Sequence, residues 1–251
     1  MVFAGIVLVP FAFKALKQTP KNKLSLVVFS GIIGSFIPAY LFCIAETKID
    51  SALAGILNSL TPLFTIIVGI LVFKISIDPK KIGGILLGLV GLCISVVAGK
   101  TLHFENISFS FFIILATICY GFNVNMVGKH MQNISAINIA SLAFSFSIIP
   151  GMVILYLTGY FNNDFTNPAL LNATLASGTL GVINTSIASI LFYVLVKRAG
   201  ILFASTVTYA IPFVSLAMGL LYNEAIHPMR LLGLAIILWG VYIVNKRGST
   251  K

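Results

Sequence analysis

Eight stretches of this chain, each 17 to 23 residues long, carry no aspartate, glutamate, lysine or arginine near their middle. That pattern selects the solvent in which the chain can fold. A helix needs about 20 predominantly apolar residues to cross a hydrocarbon core of about 30 Å. The runs extend roughly from Leu24 to Ala45, Ser51 to Phe73, Ile82 to Gly99, Ile107 to Gly128, Ala136 to Thr158, Thr174 to Val196, Ile201 to Tyr222 and Met229 to Asn245. Only 22 of the 251 residues are charged and the mean hydropathy is +1.06, so the chain lacks the polar surface a water-soluble domain needs around its core. The fold class is therefore all-α, a polytopic transmembrane helix bundle. Soluble enzymes are excluded, and so are disulfide-stapled secreted domains: Cys43, Cys93 and Cys119 lie in apolar runs without CxxC spacing and read as small buried hydrophobes.

A ninth apolar run, Val2 to Phe13, would reach only about 18 Å as a helix. It has no charge before Phe13 and lysines after it, the reverse of a secretory signal. Val2 to about Leu16 reads as the latter part of a helix, which leads to the expectation that the chain begins inside a span and that a longer parent has one more helix upstream. All other charges fall between spans and sort by side. Thirteen of the sixteen basic residues lie in alternate loops with the C-terminal tail, and only Lys48, Lys100 and Arg230 lie opposite. Acids show the reverse bias: Glu46, Asp50, Glu105, Asp164 and Glu224 oppose the basic side and only Asp78 shares it. The positive-inside rule places the basic side and the C-terminus in the cytoplasm. The net charge of +10 is thus read as an orientation signal, and no nucleic-acid partner is expected.

The chain also matches itself. At an offset of 150 residues, Leu41-Phe42 aligns with Leu191-Phe192, Ala54 with Ala204, Pro62 with Pro212, Gly69 with Gly219 and Gly83 with Gly233, without a gap. The organisation expected is a first repeat over 1–100 with four spans and a second over 107–246 with five. A five-helix unit has an odd number of crossings, so two copies must insert in opposite senses, the inverted-repeat plan of many secondary transporters. The sides agree, since Lys74 ends its span on the basic side and its mate Glu224 ends on the other.

Two long runs carry a family resemblance. Ala52 to Lys74 (ALAGILNSLTPLFTIIVGILVFK) with the following KIGGILLGLVGLCISVV, and Ile201 to Val244 with NEAIH after the proline span and LLGLAIILWG beyond it, resemble the two halves of an EamA-type transporter of the drug/metabolite transporter superfamily. YGFN at Tyr120 to Asn123 resembles the Trp-Gly-x-Asn pattern that opens a half, with Tyr in place of Trp. Lys74 departs from the family, which often has Glu there, and the first helix of the first half is missing. The resemblance implies ten helices as five plus five, nine of them in this chain, and a permease whose substrate varies between members.

A carrier must hold a polar solute near the midplane, where backbone freed at a proline is tolerated only if it lines a cavity or is buried in protein. Pro62 and Pro212 each sit near the middle of a span. Asn58 and Thr61 precede Pro62, and Thr208 and Tyr209 precede Pro212; Asn58 and Thr208 are repeat mates one turn before their prolines, beside the freed carbonyl. Tyr120 and Asn123 share a helix face, and Asn184 falls mid-span among hydroxyl residues. An amide in hydrocarbon is costly, so these face protein or water. For each, helix packing is the competing explanation. Tyr40 and Tyr193, near span ends, read as interfacial anchors. Gly84, Gly88 and Gly91 read as a close-packing stripe within the chain ahead of a dimer seam.

With no carboxylate inside any span, proton coupling would fall to Glu46 or Glu224 at the outer ends, and exchange or facilitated diffusion competes with it. An enzyme is not expected: His103, His130 and His227 are all in loops on differing sides, and no cofactor or metal motif is present. The function read here is a permease that exports or exchanges small neutral or zwitterionic, amino-acid-like metabolites or drugs. The alternatives are a channel or facilitator, or a truncated membrane protein that does not transport. Expected partners are a small-molecule substrate and the lipid bilayer of a cell membrane, taken as a bacterial inner membrane, with the protein a monomer or weak homodimer.

Overall fold

The computed structural model describes residues 1–49, 51–97, 107–210, 214 and 228–245, and every regular element among them is helical. In chain order these are α1 (Val2–Gln18), α2 (Lys21–Gly31), a π-helical segment (Ile32–Phe36), α3 (Ile37–Glu46), α4 (Ser51–Asn58), α5 (Thr61–Leu71), α6 (Pro79–Val97), α7 (Ser110–His130) and α8 (Ala136–Leu157). Then follow α9 (Pro168–Leu180), a second π-helical segment (Gly181–Ile187), α10 (Ala188–Ala199), α11 (Ile201–Ser205), a 3₁₀ turn (Thr206–Ala210) and α12 (Pro228–Asn245). Four continuous helical stretches among the described residues are long and apolar enough to cross a membrane: Lys21–Glu46, Ser110–His130, Ala136–Leu157 and Pro168–Ala199. The 21 residues of α7 alone reach about 32 Å.

Two kinds of departure from uninterrupted α-helical spans are present. The run from Ser51 to Phe73 is broken between Asn58 and Thr61, because Pro62 has no N–H and its ring disfavours helical backbone in the residue before it. The spans around Ile32–Phe36 and Gly181–Ile187 each contain a π-helical turn, and the 150-residue offset carries the first onto 182–186, inside the second.

The chain divides into two compact units, Met1–Phe36 with Val127–Arg198, and Ile37–Met126 with Ala199–Lys251. In the first, α1 and α8 pack antiparallel. A Cβ on Gly5 would lie 2.5 Å from the Phe144 carbonyl oxygen, and one on Gly151 would lie 2.9 Å from Val2, so glycine sets how closely the helices approach. At the other end Asn138 donates to Gln18 at 3.1 Å. The second π segment lies against α1, where Ser186 donates to the Ala4 carbonyl at 3.2 Å. Ser135 caps α8 by accepting from the Asn138 amide, and Lys197 at the end of α10 donates to the carbonyls of Met131, Gln132 and Ile134 in the preceding turn. Tyr193, expected as an interfacial anchor, is instead buried at 2% exposure.

The second unit is organised on α6 and α12. A Cβ on Gly84 would lie 2.9 Å from the Gly240 carbonyl oxygen and one on Gly91 2.7 Å from that of Gly233, so numbering rises along one helix as it falls along the other. Without a hydrophobic driving force between helices in lipid, small residues that let backbones touch do the packing. The glycine stripe on α6 is thus used inside the chain. The helices are mates under the 150-residue offset, and they cross near Leu87 and its mate Ile237. Ile237 is fully buried with Leu92 and Tyr209, while Ile66, Ile85 and Val244 form a neighbouring apolar cluster. All three cysteines are free thiols, but Cys43 is exposed and Cys93 and Cys119 only half-buried, against the expectation of burial. A thiol is apolar enough to sit at a lipid-facing surface.

Candidate functional site

The broken span supplies the candidate site. Helix α4 ends at Asn58, the Leu60 amide donates to Leu57 at 3.1 Å, and α5 restarts at Thr61 with Pro62 in its first turn. Pro62 cannot donate to the Asn58 carbonyl four residues back. Thr61 takes that role: its hydroxyl donates to the Asn58 carbonyl at 2.6 Å and lies 3.4 Å from the Asn58 side-chain oxygen. Thr65 donates in turn to the Thr61 carbonyl at 2.8 Å. The ladder then crosses to α7, whose Asn125 donates to Thr65 and to Gly121, both at 2.8 Å. Thr61 is 4% exposed and Thr65 and Asn125 are buried, so these groups would each be costly without partners.

The carbonyl freed at Pro62 is thus met within the chain by the Thr61 hydroxyl. The Asn58 carboxamide is half-buried, and its hydrogen-bonding among the described residues is the single long contact with Thr61.

On α7, Tyr120 is half-buried with its ring 6.2 Å from that of Phe42, and Asn123 is 3% exposed. Between them Gly121 makes the crossing with α5, because a Cβ there would lie 2.8 Å from the Thr65 nitrogen. Asn125 and Thr65 are not among the residues the sequence patterns single out; Asn125 is an amide in mid-span two residues past Asn123, outside the YGFN pattern.

The second proline span divides its candidates. Thr208 is half-buried and donates to Ser205 at 3.2 Å in the 3₁₀ turn. Tyr209 belongs to the packing seam: it is 1% exposed, its hydroxyl donates to the Ile85 carbonyl at 2.8 Å, and its ring lies over Gly88, where a Cβ would come within 2.5 Å. Pro212 and Glu224 lie outside the described residues. Asn184 is exposed within the second π segment and belongs to the first compact unit, whereas the other described polar candidates belong to the second. Glu46 is exposed at the end of α3. Outside the spans, Asp164 accepts from the amide and hydroxyl of Thr166, and these bonds hold its carboxyl below the usual carboxylate range.

Apolar helices of membrane-crossing length define an integral membrane protein of the all-α type. The model of the EamA-like transporter family matches residues 1–97 and 108–246. The chain belongs to that family and is a membrane transporter. It is 24% identical over 254 residues to a "Probable amino-acid metabolite efflux pump" of Salmonella typhimurium (strain LT2), covering 97% of this chain and 84% of that protein. A solved structure described as "Crystal structure of protein" superposes with a TM-score of 0.73 at 17% identity, over 99% of this chain and 86% of the other, a likeness of fold.

Proposed function

We propose that this transporter exports or exchanges small neutral or zwitterionic metabolites, amino acids among them, by alternating access between two inverted halves. The observation that carries the reading is the break at Asn58–Thr61: a span interrupted at a proline, with a half-buried carboxamide at the interruption that makes one long contact among the described residues. A turn of 3₁₀ helix precedes Pro212 at the matching place, over Thr206–Ala210. The inverted arrangement draws support from α6 and α12, mates in sequence that pack antiparallel about their midpoints. The name of the Salmonella relative favours amino-acid-like cargo. Uncharged amides and hydroxyls suit a neutral or zwitterionic solute, while a multiply charged anion would require Arg or Lys at the site.

The basic side and the C-terminus face the cytoplasm of a bacterial inner membrane in this reading, which a reporter fused after Lys251 checks. The test of transport is counterflow in proteoliposomes preloaded with a panel of amino acids. Asn58→Ala and Thr208→Ala each lower counterflow by about fivefold or more, the worth of one neutral hydrogen bond to the solute, at unchanged membrane abundance. Equal loss of folded protein in both variants would assign the pair to helix packing. Flux without counterflow would make the protein a channel.

A further inference from the structure

Asn125 is a buried amide with its surroundings built around it. One hydrogen of its Nδ2 goes to the Gly121 carbonyl on its own helix, the other to the Thr65 carbonyl on α5, each at 2.8 Å. Its side-chain oxygen lies against Gly69, where a Cβ would come within 2.9 Å of it. A Cβ on Gly121 would lie 2.8 Å from the Thr65 nitrogen and 2.9 Å from the Phe64 carbonyl carbon. Two glycines, one on each helix, therefore bring both backbones within reach of one carboxamide. Phe73 and Phe122 extend the same contact with an edge-on pair at 5.1 Å.

All of these contacts fall on the half of the broken span that follows the break. Among the described residues of the preceding half the contacts are of a different kind: Ala54 packs with Ala45, Ile49 and Ile113, and Leu57 lies against the same cluster. Apolar contacts of this sort are non-directional and tolerate sliding, whereas a buried amide bonded to two carbonyls specifies one arrangement.

We infer that Asn125 is a positioning residue that clamps the Thr61–Leu71 half-helix to α7, so that a rearrangement at Ser59 and Leu60 moves the Ser51–Asn58 half against a fixed partner. Thr61 and Pro62 then keep their register with Tyr120 and Asn123 while Asn58 shifts. The inference rests on the reading of Asn58 and Thr61 as pathway groups.

The experiment pairs a structural readout with a kinetic one. Asn125→Leu keeps the branching at Cγ, with bulkier methyl groups, and removes both donors. In lipid nanodiscs, backbone hydrogen exchange over residues 61–71 accelerates about tenfold, the scale expected for losing two buried hydrogen bonds, while α6 is unchanged. In proteoliposomes the apparent KM for leucine counterflow rises about threefold or more, from the misplaced polar pair, with the maximal rate per folded protein retained. A role in stability alone would reduce the number of active copies and leave KM in place. Gly69→Ala keeps the amide and displaces its oxygen, and shifts both readouts the same way by a smaller factor; it decides the question if Asn125→Leu does not fold. Unchanged exchange over 61–71 overturns the clamp. Faster exchange with unchanged KM overturns the positioning role. If the wild-type protein shows no counterflow with any amino acid, the transport reading fails, and the exchange pattern alone still decides whether the clamp exists.

Discussion

Thr61→Val removes one hydroxyl and little else, and its consequence can be worked from the geometry at the break. Valine has the same branched shape, so no cavity forms. The hydrogen bond to the Asn58 carbonyl, 2.6 Å long, is lost. In an ordinary helix that carbonyl would return to the amide four residues on, but here that residue is Pro62, which has no N–H to give. The carbonyl is left without a donor, which costs about 1–3 kcal/mol for a buried group. Interhelical polar contacts in membranes average about 0.6 kcal/mol because alternative partners are found, so a value near 2 kcal/mol is expected if the break excludes water. For a chain of this size that corresponds to a fall in Tm of about 4–8 °C. The assay is thermal unfolding of the purified protein in a mild detergent, comparing wild type with Thr61→Val and Thr61→Ser. Serine restores the hydroxyl and recovers most of the loss. If Thr61→Val melts within 1 °C of wild type, the Asn58 carbonyl has another donor, and the account of the Thr61 hydroxyl as the substitute for the missing Pro62 amide is wrong.

Three further outcomes are expected. Gly91→Ala places a methyl 2.7 Å from the Gly233 carbonyl oxygen and lowers stability by about 1–3 kcal/mol; Gly83→Ala on the same helix meets nothing within 4 Å and is neutral or stabilising by up to about 1 kcal/mol through helix propensity. Thermal unfolding of the two variants side by side checks the contrast. Lys197→Met removes the ammonium from the carbonyls of Met131, Gln132 and Ile134, so the turn between α7 and α8 becomes more open to limited proteolysis while the spans stay folded. The Asp164 carboxyl titrates below the usual carboxylate range, so its contribution to loop order is complete at neutral pH and is lost as pH falls through that lowered value; a carboxyl-carbon NMR titration reads the midpoint, and Thr166→Val, which removes the hydroxyl donor, moves it upward.

Local features were the legible ones. Uncharged runs of bilayer length, alternating charge in the loops and the punctuation of Pro62 all depend on residues near one another in the chain, so the all-α membrane bundle and a distortion at Pro62 are legible there, although the span is fully interrupted where a kink is expected. The glycine stripe of α6 was also legible, because small residues at helical spacing have few uses in a span other than close approach. Partnership was not. Tyr209 and Asn58 look alike as polar residues just before a proline, yet one spends its hydroxyl on Ile85 in the α6–α12 seam and the other keeps a carboxamide with one weak contact. Asn123 and Asn125 lie two residues apart, and the crossing at Gly121 and Gly69 makes the second the bridge to α5.

The sequence by itself therefore determined the solvent, the helical class and the family resemblance, because each follows from composition, period or motif, while of the prolines in spans Pro10 and Pro150 stay inside continuous helices and Pro62 lies at a break. Which polar groups are paired within the protein was decided only by tertiary structure. In a bilayer an unpaired buried donor or acceptor is costly wherever it lies, so every such group seeks a partner, and that partner is set by which helix crosses which and at what glycine.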